Sequence, residues 1–101
     1  MVTEVTSIDS ISKGNVMVDF YTATCGPCKA MNPILEEISD EFLGVKVAKV
    51  DVTQNPDVTQ MFGIMSVPTV LFMKDCQVMH TVRGFSNKEN LKTLMKEHLN
   101  G

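Results

Sequence analysis

Two cysteines stand three apart in Thr24-Cys25-Gly26-Pro27-Cys28-Lys29, directly after the apolar run Val16-Met17-Val18-Asp19-Phe20-Tyr21. A thiol pair at this spacing can close a disulfide and open it again with little movement of the chain. The run before it is rich in Val and aromatics and reads as a strand. After it, Met31, Ile34, Leu35, Ile38 and Phe42 recur at helical spacing. The cysteines therefore lie where a strand feeds a helix. A helix N-terminus carries unpaired N–H groups and the positive end of the macrodipole, both of which favour negative charge. Cys25 is thus expected to ionise more readily than a free thiol of pKa about 8.5. Cys28 follows one turn later on the same face.

The surrounding elements follow from pattern. Residues 2–5 suit a short first strand, and Thr6 or Ser7 a cap for a short helix through Ile8 and Ile11 that ends near Gly14. Residues 15–21 form the first strong strand, and a helix spans Gly26 to Leu43, stopping at Gly44. Pro33 inside that helix removes a hydrogen bond and predicts a kink. Val45–Val50 is the next strand. Asn55-Pro56 starts a helix, with Asn as its cap and Pro at its first position, and Gly63 closes it. Pro68 precedes the strand 69–73; Lys74-Asp75-Cys76-Gln77 is a turn, and Val78–Val82 returns as the hairpin partner. Ser86-Asn87-Lys88-Glu89 has the capping-box pattern, and Leu91, Leu94, Met95, His98 and Leu99 stripe the last helix. The order β-α-β-α-β-α-β-β-α predicts an α/β protein with a mostly parallel, mixed sheet of four to five strands, helices on both faces, and a C-terminal antiparallel hairpin and helix.

Composition bounds the rest. The 101 residues suit one domain, spanning 1–101, that buries a core without cross-links. A net charge of −3 leaves no basic footprint for nucleic acid. No apolar stretch reaches transmembrane length, and Met1-Val2-Thr3-Glu4 lacks the basic and apolar regions of a signal peptide. Three cysteines are too few and too oddly spaced for a secreted disulfide framework, so a reducing, cytoplasmic setting is expected; the chain is read as a monomer. Of the eight methionines, core filling is expected to account for most.

With these elements in place the whole chain resembles a thioredoxin. The resemblance rests on Val18-Asp19-Phe20, Cys25-Gly26-Pro27-Cys28-Lys29, Pro33, Ala48-Lys49, Val67-Pro68-Thr69 and Gly84. A bare C-x-x-C is a weak signal; an X-Pro-Thr and a hairpin at this distance make it specific. The resemblance implies a protein-disulfide reductase. Cys25 would be the attacking thiolate and Cys28 the resolving thiol. Asp19 and Lys49 would lie behind Cys28 and assist its deprotonation. Pro68 would be cis and face the pair. Thr24, Gly26, Pro27, Met65, Val67 and Gly84 would line the surface that receives a substrate polypeptide. Protein disulfides are the implied substrates and a flavin-dependent thioredoxin reductase the implied electron donor; no cofactor or metal is implied.

The sequence departs from the family at three places. Thr24 stands where tryptophan is usual, Cys76 occupies a turn position that usually holds glycine, and the N-terminal strand and helix are short. Tyr21 and Phe85 are expected to pack near the active-site rim, Glu36-Glu37 and Asp40-Glu41 to form a solvated helix face, and Cys76 to be an exposed bystander. His80 reads as a strand-surface residue and His98 as a helix-end one. The competing readings are a glutaredoxin-like enzyme fed by glutathione, a binding subunit of a larger enzyme, and a zinc site joining Cys25 and Cys28 to Cys76-x-x-x-His80.

Overall fold

A computed structural model describes residues 1–99. Five strands, β1 (Thr3–Glu4), β2 (Asn15–Tyr21), β3 (Lys46–Asp51), β4 (Thr69–Lys74) and β5 (Gln77–Arg83), form one sheet in the order β1-β3-β2-β4-β5. The helices are α1 (Gly26–Glu41), α2 (Pro56–Met61) and α3 (Lys88–His98), with a short 3₁₀ helix at Ile8–Ile11 capped by Ser7. Among the described residues no helix is long and apolar enough to cross a membrane.

The sheet is less parallel than its alternation with helices predicts. β1 and β2 flank β3 in parallel, but β4 runs antiparallel to both β2 and β5. The segment through α2 and the cis-Pro68 loop brings the chain back to the end of the sheet where β3 finished, so β4 re-enters it in the opposite direction.

Strand alternation divides the core in two. Met17, Val47, Val70 and Phe72 pack with Met31, Leu35 and Ile38 of α1 and Leu91 and Met95 of α3. On the other face Val16, Val18, Phe20, Ala48, Val50 and Leu71 pack with Ile11 and Val58. Asp19 shares the parity of Met17, and Lys49 that of Val47, so both side chains lie on the α1 side of the sheet. The methionines divide evenly rather than filling the core: Met17, Met31, Met73 and Met95 are buried, while Met1, Met61, Met65 and Met79 are exposed.

Several local readings are corrected. α1 ends at Glu41, and the Phe42 N–H donates to the Ile38 carbonyl. Pro33 lies inside it. Asn55 occupies the cap position of α2, but its side-chain amide donates backwards to the Asp51 carbonyl (3.0 Å) and caps nothing. The cap of α3 is Asn87, one residue later than the Ser86 box predicts. The Asn87 side chain accepts from the Asn90 N–H (2.8 Å), while Ser86 Oγ accepts from the Asn90 amide (2.7 Å). The acidic face of α1 is not simply solvated: Lys88 of α3 pairs with Glu41 (2.7 Å) and Glu37 (3.4 Å) and ties the two helices. His80 and His98 stack, with centroids 4.6 Å apart.

The β4–β5 turn places Asp75 and Cys76 at φ +48° and +70°. Two central residues at positive φ make a tight hairpin turn of the kind that favours Asn-Gly or Asp-Gly. Cβ then crowds the backbone at Cys76, at about 1 kcal/mol. Asp75 is held there by reciprocal bonds: its N–H donates to the Gly14 carbonyl (3.0 Å) and its carboxylate accepts from the Gly14 N–H (2.9 Å). Cys76→Gly is therefore expected to raise stability by about 1 kcal/mol, read as a higher urea midpoint at unchanged slope.

Candidate active site

Cys25 is the N-cap of α1 and Cys28 lies in its first turn, with Cα atoms 5.2 Å apart and the two sulfurs joined in a disulfide. Gly26 and Pro27 are the first two helical residues, and both are exposed. Proline suits that position because its missing N–H has no partner to lose there. Cys25 Sγ accepts a hydrogen bond from the Cys28 N–H at 3.2 Å. A sulfur so placed sits on the positive end of a sixteen-residue helix. The two cysteines differ sharply in access: Cys25 is half-buried, whereas Cys28 is 2% exposed.

Behind the pair lies a cavity of about 140 Å³ lined by Cys28, Lys29, Tyr21, Thr22, Ala23, Asn32 and Lys49. It is wide enough to admit water. Lys49 is the register partner of Asp19 across β2 and β3. Asp19 is fully buried, and neither carboxylate oxygen has a hydrogen-bond partner. Burial pushes its pKa up from 3.8 to about 7; the positive charge of Lys49 pulls down against this, and the negative charge of Glu4 adds to it. The Lys49 ammonium donates to Asn32 Oδ1 at 2.7 Å and sits 4.4 Å from the Tyr21 ring centroid. Tyr21 in turn donates its hydroxyl to Glu4 (2.8 Å), and burial together with that bond raises the phenol's pKa.

The Val67–Pro68 peptide is cis, as expected. Pro68 is buried, and its carbonyl accepts from the Gly84 N–H at 2.8 Å. Gly84 holds φ +88°, a conformation that side chains resist, so this strand exit needs glycine. Val67 and Met65 line a second cavity with Thr22, Val52, Thr59, Ile64 and Ser66. Thr22 borders both cavities. Met65 is 96% exposed, far beyond what a core methionine shows. Thr24 is exposed beside Cys25, and Phe85 is exposed rather than packed.

Two residues of this constellation escape motif reading. Asn32 belongs to no motif, yet it lies four residues after Cys28 and so on the same helix face, which is the signal that could have found it. Thr22 carries no signal beyond its place in the loop after β2. The alternative zinc set is not assembled: Cys76 is exposed at the hairpin tip, and among the described residues no three metal-ligating side chains gather.

Comparison with known proteins agrees with this geometry. A family profile named Thioredoxin matches residues 3–97. Thioredoxin of Bacillus subtilis (strain 168) is 43% identical over 89 residues, covering 87% of this chain and 86% of that one. Thioredoxin of Listeria monocytogenes serovar 1/2a is 38% identical over 99 residues, covering 97% and 96%. Among solved structures, a mutant thioredoxin from Halobacterium salinarum NRC-1 superposes with a TM-score of 0.90 at 26% identity, covering 97% of this chain and 90% of that one. A redox-competent cysteine pair on a helix N-terminus, in this fold and with these relatives, makes the chain a member of the thioredoxin family and a protein thiol–disulfide oxidoreductase.

Proposed function

We propose that the chain reduces protein disulfides, with Cys25 as the attacking thiolate and Cys28 as the resolving thiol. The observation that carries this division is the difference in access: Cys25 is half-buried at the helix terminus and Cys28 is 2% exposed behind it. In the reduced protein, Cys25 attacks one sulfur of the substrate disulfide. That bond breaks, a mixed disulfide forms, and the substrate's leaving thiolate takes up a proton. Asp19 accepts the Cys28 proton, with Lys49 adjusting its basicity. The Cys28 thiolate then attacks Cys25 Sγ, releasing the second substrate thiolate and closing the Cys25–Cys28 bond. Two electrons have passed to the substrate.

Pro68 supports the substrate. Proline has no N–H of its own to donate, which leaves the backbone of Val67 beside it as the edge on which an extended polypeptide pairs as an added strand. Met65, Val67 and Gly84 form the receiving surface, and Thr24, Gly26 and Pro27 flank the nucleophile. Met65 suits this role because an exposed thioether adapts to different partners. Electrons return to the oxidised pair from a flavin-dependent thioredoxin reductase. The reading places a monomer in a reducing cytoplasm.

The test is trapping. Cys28→Ser keeps the attack and removes the resolution, so incubation with a protein disulfide should accumulate a mixed disulfide at Cys25 that a small dithiol reverses. Accumulation in Cys25→Ser instead would reverse the assignment.

A further inference from the structure

Lys49 and Asp19 are cross-strand neighbours facing the same helix, yet they do not pair. Both carboxylate oxygens of Asp19 are left without a hydrogen bond, although an ammonium is register-matched beside it. A half-buried ammonium prefers a carboxylate to a neutral acceptor, so something must hold this one elsewhere. Two groups do. Asn32 Oδ1 accepts from Lys49 Nζ at 2.7 Å. The Tyr21 ring lies under the same nitrogen at 4.4 Å, and Tyr21 is itself anchored through its hydroxyl to Glu4 at 2.8 Å. Asn32, Tyr21, Lys49 and Cys28 all line one cavity.

We propose that Asn32, acting with the face of Tyr21, is a positioning residue that holds the Lys49 ammonium away from Asp19 and so leaves Asp19 basic enough to serve Cys28. The inference rests on the reading that Asp19 takes the Cys28 proton. Without Asn32 the ammonium is freed to reach the carboxylate. Asp19 would then be a paired anion and a weaker base. The charged groups that act on Asp19 are Lys49 from β3 and Glu4 from β1; its other neighbours are Tyr21 on its own strand and the uncharged Val70 across on β4. Of these, only Lys49 carries positive charge, so only its position can lower the basicity of Asp19 in this way.

The experiment follows the Asp19 side-chain carboxyl by carbon-13 NMR across pH in the disulfide form. Asn32 is exposed on α1, so Asn32→Ala should fold, alanine being the better helix former. Asn32→Ala and Tyr21→Leu are each expected to lower the Asp19 titration midpoint by about half a pH unit or more. In a Lys49→Met background, Asn32→Ala is expected to have no such effect, because its route of action is gone. A midpoint in Asn32→Ala that moves less than this or moves upward, or a shift that persists without Lys49, would overturn the proposal. The titration needs no turnover, so it is read even if the roles of the cysteines are misassigned; that failure would appear separately in the trapping experiment.

Discussion

Cys25→Ser is expected to abolish dithiol-driven reduction of a protein disulfide such as insulin's, leaving the rate of the dithiol alone. The loss should be on the order of a thousandfold or more relative to the wild-type protein, as for removal of other catalytic nucleophiles. A serine hydroxyl at the α1 N-cap would accept the same hydrogen bond from the Cys28 N–H that Cys25 Sγ accepts at 3.2 Å. The helix terminus favours an anion, but its field is far too weak to ionise an alcohol at neutral pH, whereas a thiol needs little help. Cys28 cannot substitute, because at 2% exposure no polypeptide disulfide reaches its sulfur. The change should leave the fold intact, since Ser is a favoured N-cap. Activity retained in a well-folded Cys25→Ser protein would place the nucleophile elsewhere.

The second large effect concerns Asp19. Burial raises its pKa from 3.8 to about 7 in the folded protein. Between these values the native state holds a proton that the unfolded chain has already lost. Stability contributed by that proton is fully present below pH 3.8 and is lost as pH rises through about 7. At about 1.4 kcal/mol for each tenfold change in proton affinity, the loss across this window is on the order of 4 kcal/mol. Asp19→Asn removes the ionisation. The variant is expected to be more stable than wild type above pH 7, with the pH-dependent loss between about 4 and 7 largely gone. Urea unfolding of both proteins at pH 5 and pH 9 measures this, and equal slopes of stability against pH for the two would sink it. The same variant should resolve mixed disulfides more slowly at neutral pH, by about tenfold or more, because the Cys28 proton loses its acceptor.

Much of this molecule was legible in one dimension. The cysteine pair, the strand before it and the amphipathic helix after it follow from residue type and spacing alone. The boundaries of β2, the start of α1 and the tight hairpin at Asp75-Cys76 follow from apolar runs, Pro27 and turn length. These features are local: each depends on interactions within a few residues, which the order of side chains displays directly. The cap of α3 slipped by one residue because Ser86 and Asn87 are both able caps, and Ser86 Oγ is instead taken by the Asn90 side-chain amide.

What the sequence could not settle was where distant side chains spend their bonds. Asp19 and Lys49 stand thirty positions apart, and their proximity comes from the register of two parallel strands. That they remain unpaired depends on Asn32 from a helix and Tyr21 from a strand end meeting at the same ammonium. The direction of β4 departed from the mostly parallel sheet that helix–strand alternation suggests, because the chain after β3 re-enters the sheet from the end where β3 finished. Residue chemistry and local periodicity determined that this chain carries a redox dithiol on a helix N-terminus. Tertiary packing alone decided which sulfur is reachable and what surrounds the buried Asp19, because access and electrostatic environment are set by what the fold brings near.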